Sequence, residues 1–386
     1  MVLAVFWPVN LTPWEALSVL QNIGRKEGHV KKNDPQRILV LRTDRMGDVM
    51  LTLPVVSALK DTFPGSGVDM LLHPSTCEIV EGHPHVRNIV IDDDAGIHAG
   101  LRGFFRLARS LRNRKYDLAV LVHPTLRLAL LLFLAGIPRR IGTGYRWYQF
   151  LFNEKAYEHR RDAKRHEAEY NLNLLRPLGI HCSDVRFNIV IPPRAFEKVD
   201  GMLHTCGLTR EDRVAILHPG SGGSARDWPA YKFAELGDTL MDDVDLKVII
   251  TGSEEEVGLV SEVANRMRAE PLLEACHLTI KELAALIQRA HVFVSNSTGP
   301  MHIAAAVGTP VVALFPPIIP CSPRRWGPYG EGHIVMSPKV PECGKCIEQR
   351  CSYFDCMDLI NIDEVFNAVR VVLERQMKGE ILKIHD

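Results

Sequence analysis

RILVLRTDRMGDVMLTL, residues 37–53, is a short aliphatic run that passes through a polar turn into a helix-like stretch. The turn Arg42-Thr43-Asp44-Arg45-Met46-Gly47-Asp48 gathers two basic side chains, a hydroxyl and two carboxylates where a strand becomes a helix, and Gly47 permits a tight backbone path. In an open parallel sheet, ligands sit beyond the carboxyl ends of the strands, so such turns are the places to look for chemistry. By spacing alone, Asp48 is either a cap on the following helix, favouring its positive end, or a general base in a cleft.

From this unit outward the rhythm repeats. Aliphatic runs at Arg37–Arg42, Val68–His73, Val86–Asp92 and Asp117–His123 alternate with helix-like stretches at Gly47–Phe63 and Leu101–Arg114, which predicts parallel strands joined by crossover helices. A charged, helix-favouring stretch follows Arg160, then a strand-like Val185–Ile191, and Pro192-Pro193 interrupts the pattern. A second series places strands at Arg213–His218, Leu246–Thr251, His291–Ser295 and Pro310–Phe315, with helices at Ala230–Met241, Glu255–Arg268 and Ile280–Arg289. The expected organisation is α/β: two doubly wound, Rossmann-like domains facing a cleft, at residues 36–193 and 194–386, after a leader of 1–35. The amphipathic Ile362–Gln376 is expected to pack back across the junction.

Composition agrees with this and removes other classes. A chain of 386 residues exceeds what one hydrophobic core usually serves, and 46% hydrophobic residues describe a globular protein. Lys plus Arg and Asp plus Glu both number 46, so the broad basic field of a nucleic-acid binder is missing. The most lipid-like run, Leu128–Ile137, is far shorter than the roughly 20 apolar residues of a spanning helix. Met1–Leu20 is apolar but carries Pro8, Pro13 and Glu15 and lacks a secretory pattern, leaving either an untied leader or a weak membrane-surface anchor. Five scattered cysteines suit a reducing cytosol, which sets the expected localisation as cytoplasmic, with peripheral membrane association as the further option.

Two further loops carry chemistry. His218-Pro219-Gly220-Ser221-Gly222-Gly223-Ser224-Ala225-Arg226-Asp227-Trp228-Pro229 follows the first strand of the second series. Its glycines let the backbone approach an anion, its serines add hydroxyl donors, and Arg226 adds a planar cation suited to a diphosphate, although glycine-rich loops are often plain turns. Ser295-Asn296-Ser297-Thr298-Gly299-Pro300-Met301-His302 ends a strand and opens a helix, with Pro300 in the first turn. The free N–H groups of that helix start form a second anion site, or simply a capped helix.

Taken together, residues 37–53, HPGSGGSARDWP at 218–229 and SNSTGPMHIAAAVGTP at 295–310 resemble glycosyltransferase family 9, which contains the lipopolysaccharide heptosyltransferases, over nearly everything from Arg37 onward. The resemblance implies a GT-B fold, with the acceptor in the first domain, an ADP-sugar in the second, and inverting transfer without a metal. By motif position it implies that Asp48 is the catalytic base, that Ser221, Gly222, Ser224 and Arg226 hold the diphosphate, and that Ser297, Thr298, Gly299 and His302 form a second phosphate-contacting segment. Glu254 matches an acidic residue near the donor ribose; Thr43, Arg45, Arg139 and Arg140 match the acceptor side. Ser297 stands where members often carry an acidic residue, which bears on donor selectivity.

The implied partners are a nucleotide-sugar donor, expected to be ADP-heptose, and a glycolipid or glycan acceptor. Alternatives on the same plan are a nucleotide-sugar isomerase or epimerase and a non-catalytic sugar-nucleotide binder. An NAD-dependent oxidoreductase is disfavoured because RTDRMGD, not GxGxxG, follows the first strand. Cys343, Cys346, Cys351 and Cys356 fall within fourteen residues at a spacing that can enclose structural zinc; free or disulfide-linked thiols are the favoured reading, so no cofactor is expected.

Overall fold

The computed structural model describes residues 34–209 and 211–379, so nearly all of the expected leader lies outside the described residues. Two six-stranded sheets carry the fold, and every ladder in them is parallel. The first contains β1 (Arg37–Leu41), β2 (Gly67–Leu72), β3 (Val86–Ile91), β4 (Leu118–Leu121), β5 (Arg139–Thr143) and β6 (Glu154–Ala156), ordered β3-β2-β1-β4-β5-β6. The second contains β7 (Val214–His218), β8 (Lys247–Thr251), β9 (Leu273–Ala275), β10 (Val292–Asn296), β11 (Val311–Leu314) and β12 (Ile334–Met336), ordered β9-β8-β7-β10-β11-β12. Both follow the doubly wound order, in which the connection reverses direction between the first and fourth strands and opens a crevice there.

Alternate side chains of each strand serve different layers. On β1, Leu39 and Leu41 join one core with helices α4 (Gly100–Arg114) and α5 (Leu126–Leu134). Ile38 and Val40 point the other way, into a core that continues through Ile216 of β7 and Phe293 of β10. The two halves therefore share one continuous apolar cluster, which removes water from their facing surfaces.

Polar ties cross the same junction. Glu78, in α3 (Cys77–Val80), accepts from the backbone N–H groups of Ile280 and Lys281 at 3.0 Å each, at the start of α10 (Ile280–Arg289). The Lys281 ammonium in turn donates to the Val190 carbonyl at 2.6 Å.

Three expectations change. Val185–Ile191 forms no strand; Val185, Phe187, Ile189 and Ile191 satisfy the alternation by packing on the shared core instead. The helix α13 (Ile362–Met377) does not return across the junction; Val365, Val369 and Val372 pack against α8 (Ala230–Val244) and the second sheet. The short edge strands β5, β6, β9 and β12 carry too little apolar periodicity to stand out from sequence. Pro192 and Pro193 open α7 (Pro193–Thr205), which packs on α10. Among the described residues, no helix is long and apolar enough to cross a membrane.

Candidate active site

The turns after β1, β7 and β10, which flank the two strand-order reversals, converge with those after β2, β8 and β11 on one cleft of about 640 Å³. Arg45, Met46, Gly47 and Asp48 line it from the first half; Ser221, Gly222, Ser224, Ser297, Thr298, Gly299 and His302 line it from the second.

Asp48 sits in the first turn of α1 (Met46–Met50), but its carboxylate does not cap that helix. It pairs with the guanidinium of Arg42 and faces the cleft. Arg42 is buried and also bonds Asp44 through Nε at 2.5 Å, and Asp44 lies 3.0 Å from His123 Nδ1 in the turn after β4. Burial raises the Asp48 pKa above the ordinary aspartate value, Arg42 opposes the rise, and the nearby Asp44 and Glu167 carboxylates add to it. Asp44 moves the opposite way, its burial outweighed by hydrogen bonds from His123 and Arg42.

Behind this pair, Glu167 of α6 (Glu167–Asn173) is almost wholly buried and pairs with Arg160, with Arg325 at 2.8 Å and, at 3.9 Å, with Arg42. Arg325 belongs to α12 (Pro323–Trp326) of the second half, so this carboxylate joins the Asp48 support to the opposite side of the cleft. Despite its burial, three guanidinium groups hold Glu167 below the ordinary glutamate value.

In the opposite wall, Gly222 and Gly223 adopt φ of 56° and 69°, the left-handed region open to glycine, which turns the loop sharply at the cleft. Asn296 pins this loop by donating to the Pro219 carbonyl at 2.6 Å and accepting from the Trp228 N–H at 2.9 Å. Ser224 Oγ shares its one proton between Ser221 O at 2.7 Å and Ser297 O at 2.9 Å, which joins the second and third motifs. Thr298 precedes α11 (Gly299–Ala306) without capping it through its side chain, so the first N–H groups of that helix face the cleft uncapped by Thr298.

His302 and His218 are buried in this wall. Burial pushes His302 down to about 3 and His218 down to about 4, so both are neutral imidazoles at working pH. His302 Nδ1 has no hydrogen-bond partner among the described residues, while His218 Nδ1 lies 2.9 Å from Thr251 Oγ1.

Several expected site residues lie elsewhere. Arg226 turns away from the cleft: it stacks 4.8 Å from the Phe354 ring, donates to the Phe354 carbonyl at 2.8 Å and reaches Cys346 Sγ at 3.8 Å, because that loop offers it an acceptor and an aromatic face. Glu254 is exposed beside His277, and the acidic residue in the cleft is Glu256, whose carboxylate accepts from Gly222 N–H and Ser253 N–H at 2.9 Å each. Arg139 pairs with Glu154 across β5 and β6, and Arg140 donates to the carbonyls of Leu151 and Ile137; both brace that edge rather than line the cleft. Thr43 does not line it either.

Glu256 was detectable, since Ser253-x-x-Glu256 is a capping-box spacing that fixes the glutamate near the strand end. The buried Arg42–Glu167 contact had no local signal, because its members are 125 positions apart.

The four clustered cysteines border a separate cavity of about 100 Å³ together with Arg226 and Phe354. All nine cysteines are free thiols, and among the described residues no three His, Cys, Asp or Glu side chains are grouped to hold a metal ion.

Comparison with known proteins adds a family model, described as glycosyltransferase family 9 (heptosyltransferase), that matches residues 104–356. The chain is 27% identical over 348 residues to a putative glycosyltransferase of Haemophilus influenzae, covering 88% of this chain and 97% of that one. It is 29% identical over 274 residues to lipopolysaccharide heptosyltransferase 3 of Escherichia coli, covering 70% and 80%. Among solved structures it resembles a family 9 glycosyltransferase from Veillonella parvula, with TM-score 0.76, 23% identity, and 88% and 97% coverage. It also resembles E. coli ADP-heptose LPS heptosyltransferase II, with TM-score 0.72, 21% identity, and 89% and 100% coverage. These likenesses identify the two facing doubly wound sheets as a GT-B fold.

Proposed function

The chain belongs to glycosyltransferase family 9, and from that premise we propose that it moves a heptose-type sugar from an ADP-sugar to a hydroxyl of a lipopolysaccharide core or related envelope glycan, with inversion and without a metal. The observation that carries this reading is the placement of the Asp48 carboxylate on one wall of a 640 Å³ cleft, with the uncovered start of α11 and the Gly222–Gly223 turn on the other.

In this reading Asp48 takes the proton from the acceptor hydroxyl as its oxygen bonds to the anomeric carbon. The bond from that carbon to the diphosphate breaks on the opposite face, and its electron pair leaves with ADP. Inversion follows from attack and departure on opposite faces. A carboxylate with a raised pKa is a stronger base than ordinary aspartate, and Arg42 keeps it ionised and oriented.

The charge accumulating on ADP is met by the N–H groups opening α11, by the exposed Arg45 of the first wall, and by the Ser221 and Ser224 hydroxyls once they turn from their backbone acceptors. The helix N–H groups are set by the fold before substrate arrives, so little reorganisation is needed at that end of the cleft. The chemistry takes place in the cytoplasm, where the sugar nucleotide is available.

A thermal-shift screen against ADP, UDP and GDP, followed by a transfer assay with ADP-heptose, tests the proposal. ADP should raise the melting temperature most, the product should show inverted anomeric configuration by NMR, and a chelator should leave turnover unchanged. A preference for UDP or GDP overturns the donor; a retained configuration or loss of turnover with chelator overturns the mechanism.

A further inference from the structure

We propose that the outer face formed by α4, α5 and the turn around Trp147 is a docking surface for an anionic lipid bilayer. The inference rests on the glycolipid-acceptor reading above for its purpose, and on the following features for its evidence.

Residues 101–165 contain fifteen Lys and Arg against four Asp and Glu, in a chain whose totals are equal at 46 each. The positive charge of the molecule is therefore concentrated here, and the remainder is acidic. From Ala95 to Tyr116 there is no acidic residue. On α4, Leu107, Ala108 and Leu111 pack inward, while Arg102, Arg106, Arg109 and Arg112 lie on the exposed face at helical spacing and make no ion pair among the described residues.

Apolar groups stand among these charges. Leu101 is 76% exposed, Trp147 73% and Phe150 68%, although an exposed tryptophan and phenylalanine in contact are costly to leave in water. The pieces are contiguous: α4 packs on α5, and α5 on the 149–151 turn. Arginines mixed with tryptophan and phenylalanine suit the bilayer interface, where phosphate headgroups meet acyl chains. A protein partner would not require so one-sided an excess of cations.

The face also leads to the cleft. Tyr148, beside Trp147, donates to the Pro124 carbonyl at 2.7 Å, and the preceding His123 lies 3.0 Å from Asp44 in the turn that carries Asp48. An acceptor anchored in a bilayer under this face would enter beside the candidate base.

Full-length protein is sedimented with vesicles of phosphatidylcholine alone and of phosphatidylcholine mixed with phosphatidylglycerol. Binding should appear only with phosphatidylglycerol and weaken with salt. The triple variant Arg102→Glu, Arg106→Glu, Arg109→Glu and the double variant Trp147→Ser, Phe150→Ser should each reduce binding about tenfold or more. Unchanged melting temperature and unchanged turnover on a delipidated, soluble acceptor show that these exposed changes leave the fold intact.

Variants that sediment like the unaltered chain, or an unaltered chain that ignores phosphatidylglycerol, overturn the proposal. So does self-association abolished by the Trp147 and Phe150 changes, which would make the cover a second copy of the chain. Transfer to the soluble acceptor without vesicle binding removes only the docking surface; vesicle binding as expected without transfer from any ADP-sugar removes only the function reading.

Discussion

Gly47 and Gly299, from opposite halves of the molecule, meet backbone to backbone: a Cβ on Gly47 would lie 3.3 Å from Gly299 Cα, and one on Gly299 would lie 3.2 Å from Gly47 N. Neither residue has positive φ, so both are demanded by proximity rather than by backbone conformation. The turn after β1 and the start of α11 are thereby in direct contact, which sets how far the Asp48 carboxylate stands from the proposed diphosphate site.

Gly47→Ala should disturb this spacing. The added methyl would lie 2.8 Å from His302 Cδ2, closer than packing allows, so the buried imidazole or the wall that carries it must shift. Turnover with ADP-heptose is expected to fall about tenfold, equivalent to about 1.4 kcal/mol of barrier. Steady-state kinetics beside a melting curve check this: a large drop in melting temperature with unchanged turnover per folded molecule would contradict it.

Asp48→Asn keeps the shape but removes the proton acceptor. Turnover should fall by about a hundredfold or more, with ADP affinity unchanged by calorimetry. In the unaltered enzyme, activity should be present above the folded-state pKa of Asp48 and disappear as pH falls through it. Because burial raises that pKa, the acid limb should lie above the ordinary aspartate value of 3.8. An acid limb that persists in the variant would assign it to another group.

Removing Glu167 should be costly. Glu167→Ala leaves Arg160 and Arg325, and to a lesser extent Arg42, which keeps Asp44 and Asp48, without their carboxylate. Loss of one partner from such a buried pair typically costs about 3–5 kcal/mol, measurable by urea unfolding. A cost near zero would mean that water enters and replaces the pair.

Stability should decline as the solution is acidified below neutrality. Buried His218 and His302 are depressed to about 4 and about 3, so each stays neutral when folded but takes up a proton when unfolded below 6.5. Their neutral-state stability is complete above 6.5 and is lost as pH falls through the window down to those values, at up to about 1.4 kcal/mol per pH unit per histidine. Asp227 acts in the opposite sense: burial raises it to about 6, so the folded state holds an extra proton between 3.8 and that value and gains stability as pH falls there. Urea unfolding from pH 7.5 to 5 should show net loss, and His302→Gln should flatten the slope by one histidine's share. An unchanged slope would place that imidazole in contact with solvent.

The core strands were legible because each is a run of apolar residues bounded by turn residues, and burial on both sheet faces demands that pattern. Asp48, Ser221, Ser224 and the Thr298–Gly299 helix start were legible for a related reason: doubly wound sheets place their ligands at strand ends, and strand ends can be counted along the chain. Val185–Ile191 misled because alternation reports which face is buried, and an apolar core satisfies it as well as a sheet does.

Local order along the chain determined that there are two parallel α/β units and which turns hold polar chemistry, since strand and helix periodicities are properties of neighbouring residues. The direction each long charged side chain takes was decided only when distant segments came together. Arg226 is drawn to Phe354 and away from the cleft, Glu256 rather than Glu254 enters it, and Glu167 gathers arginines from three separate segments. A flexible charged side chain settles where its buried partners are, and those partners are neighbours in space and not in sequence.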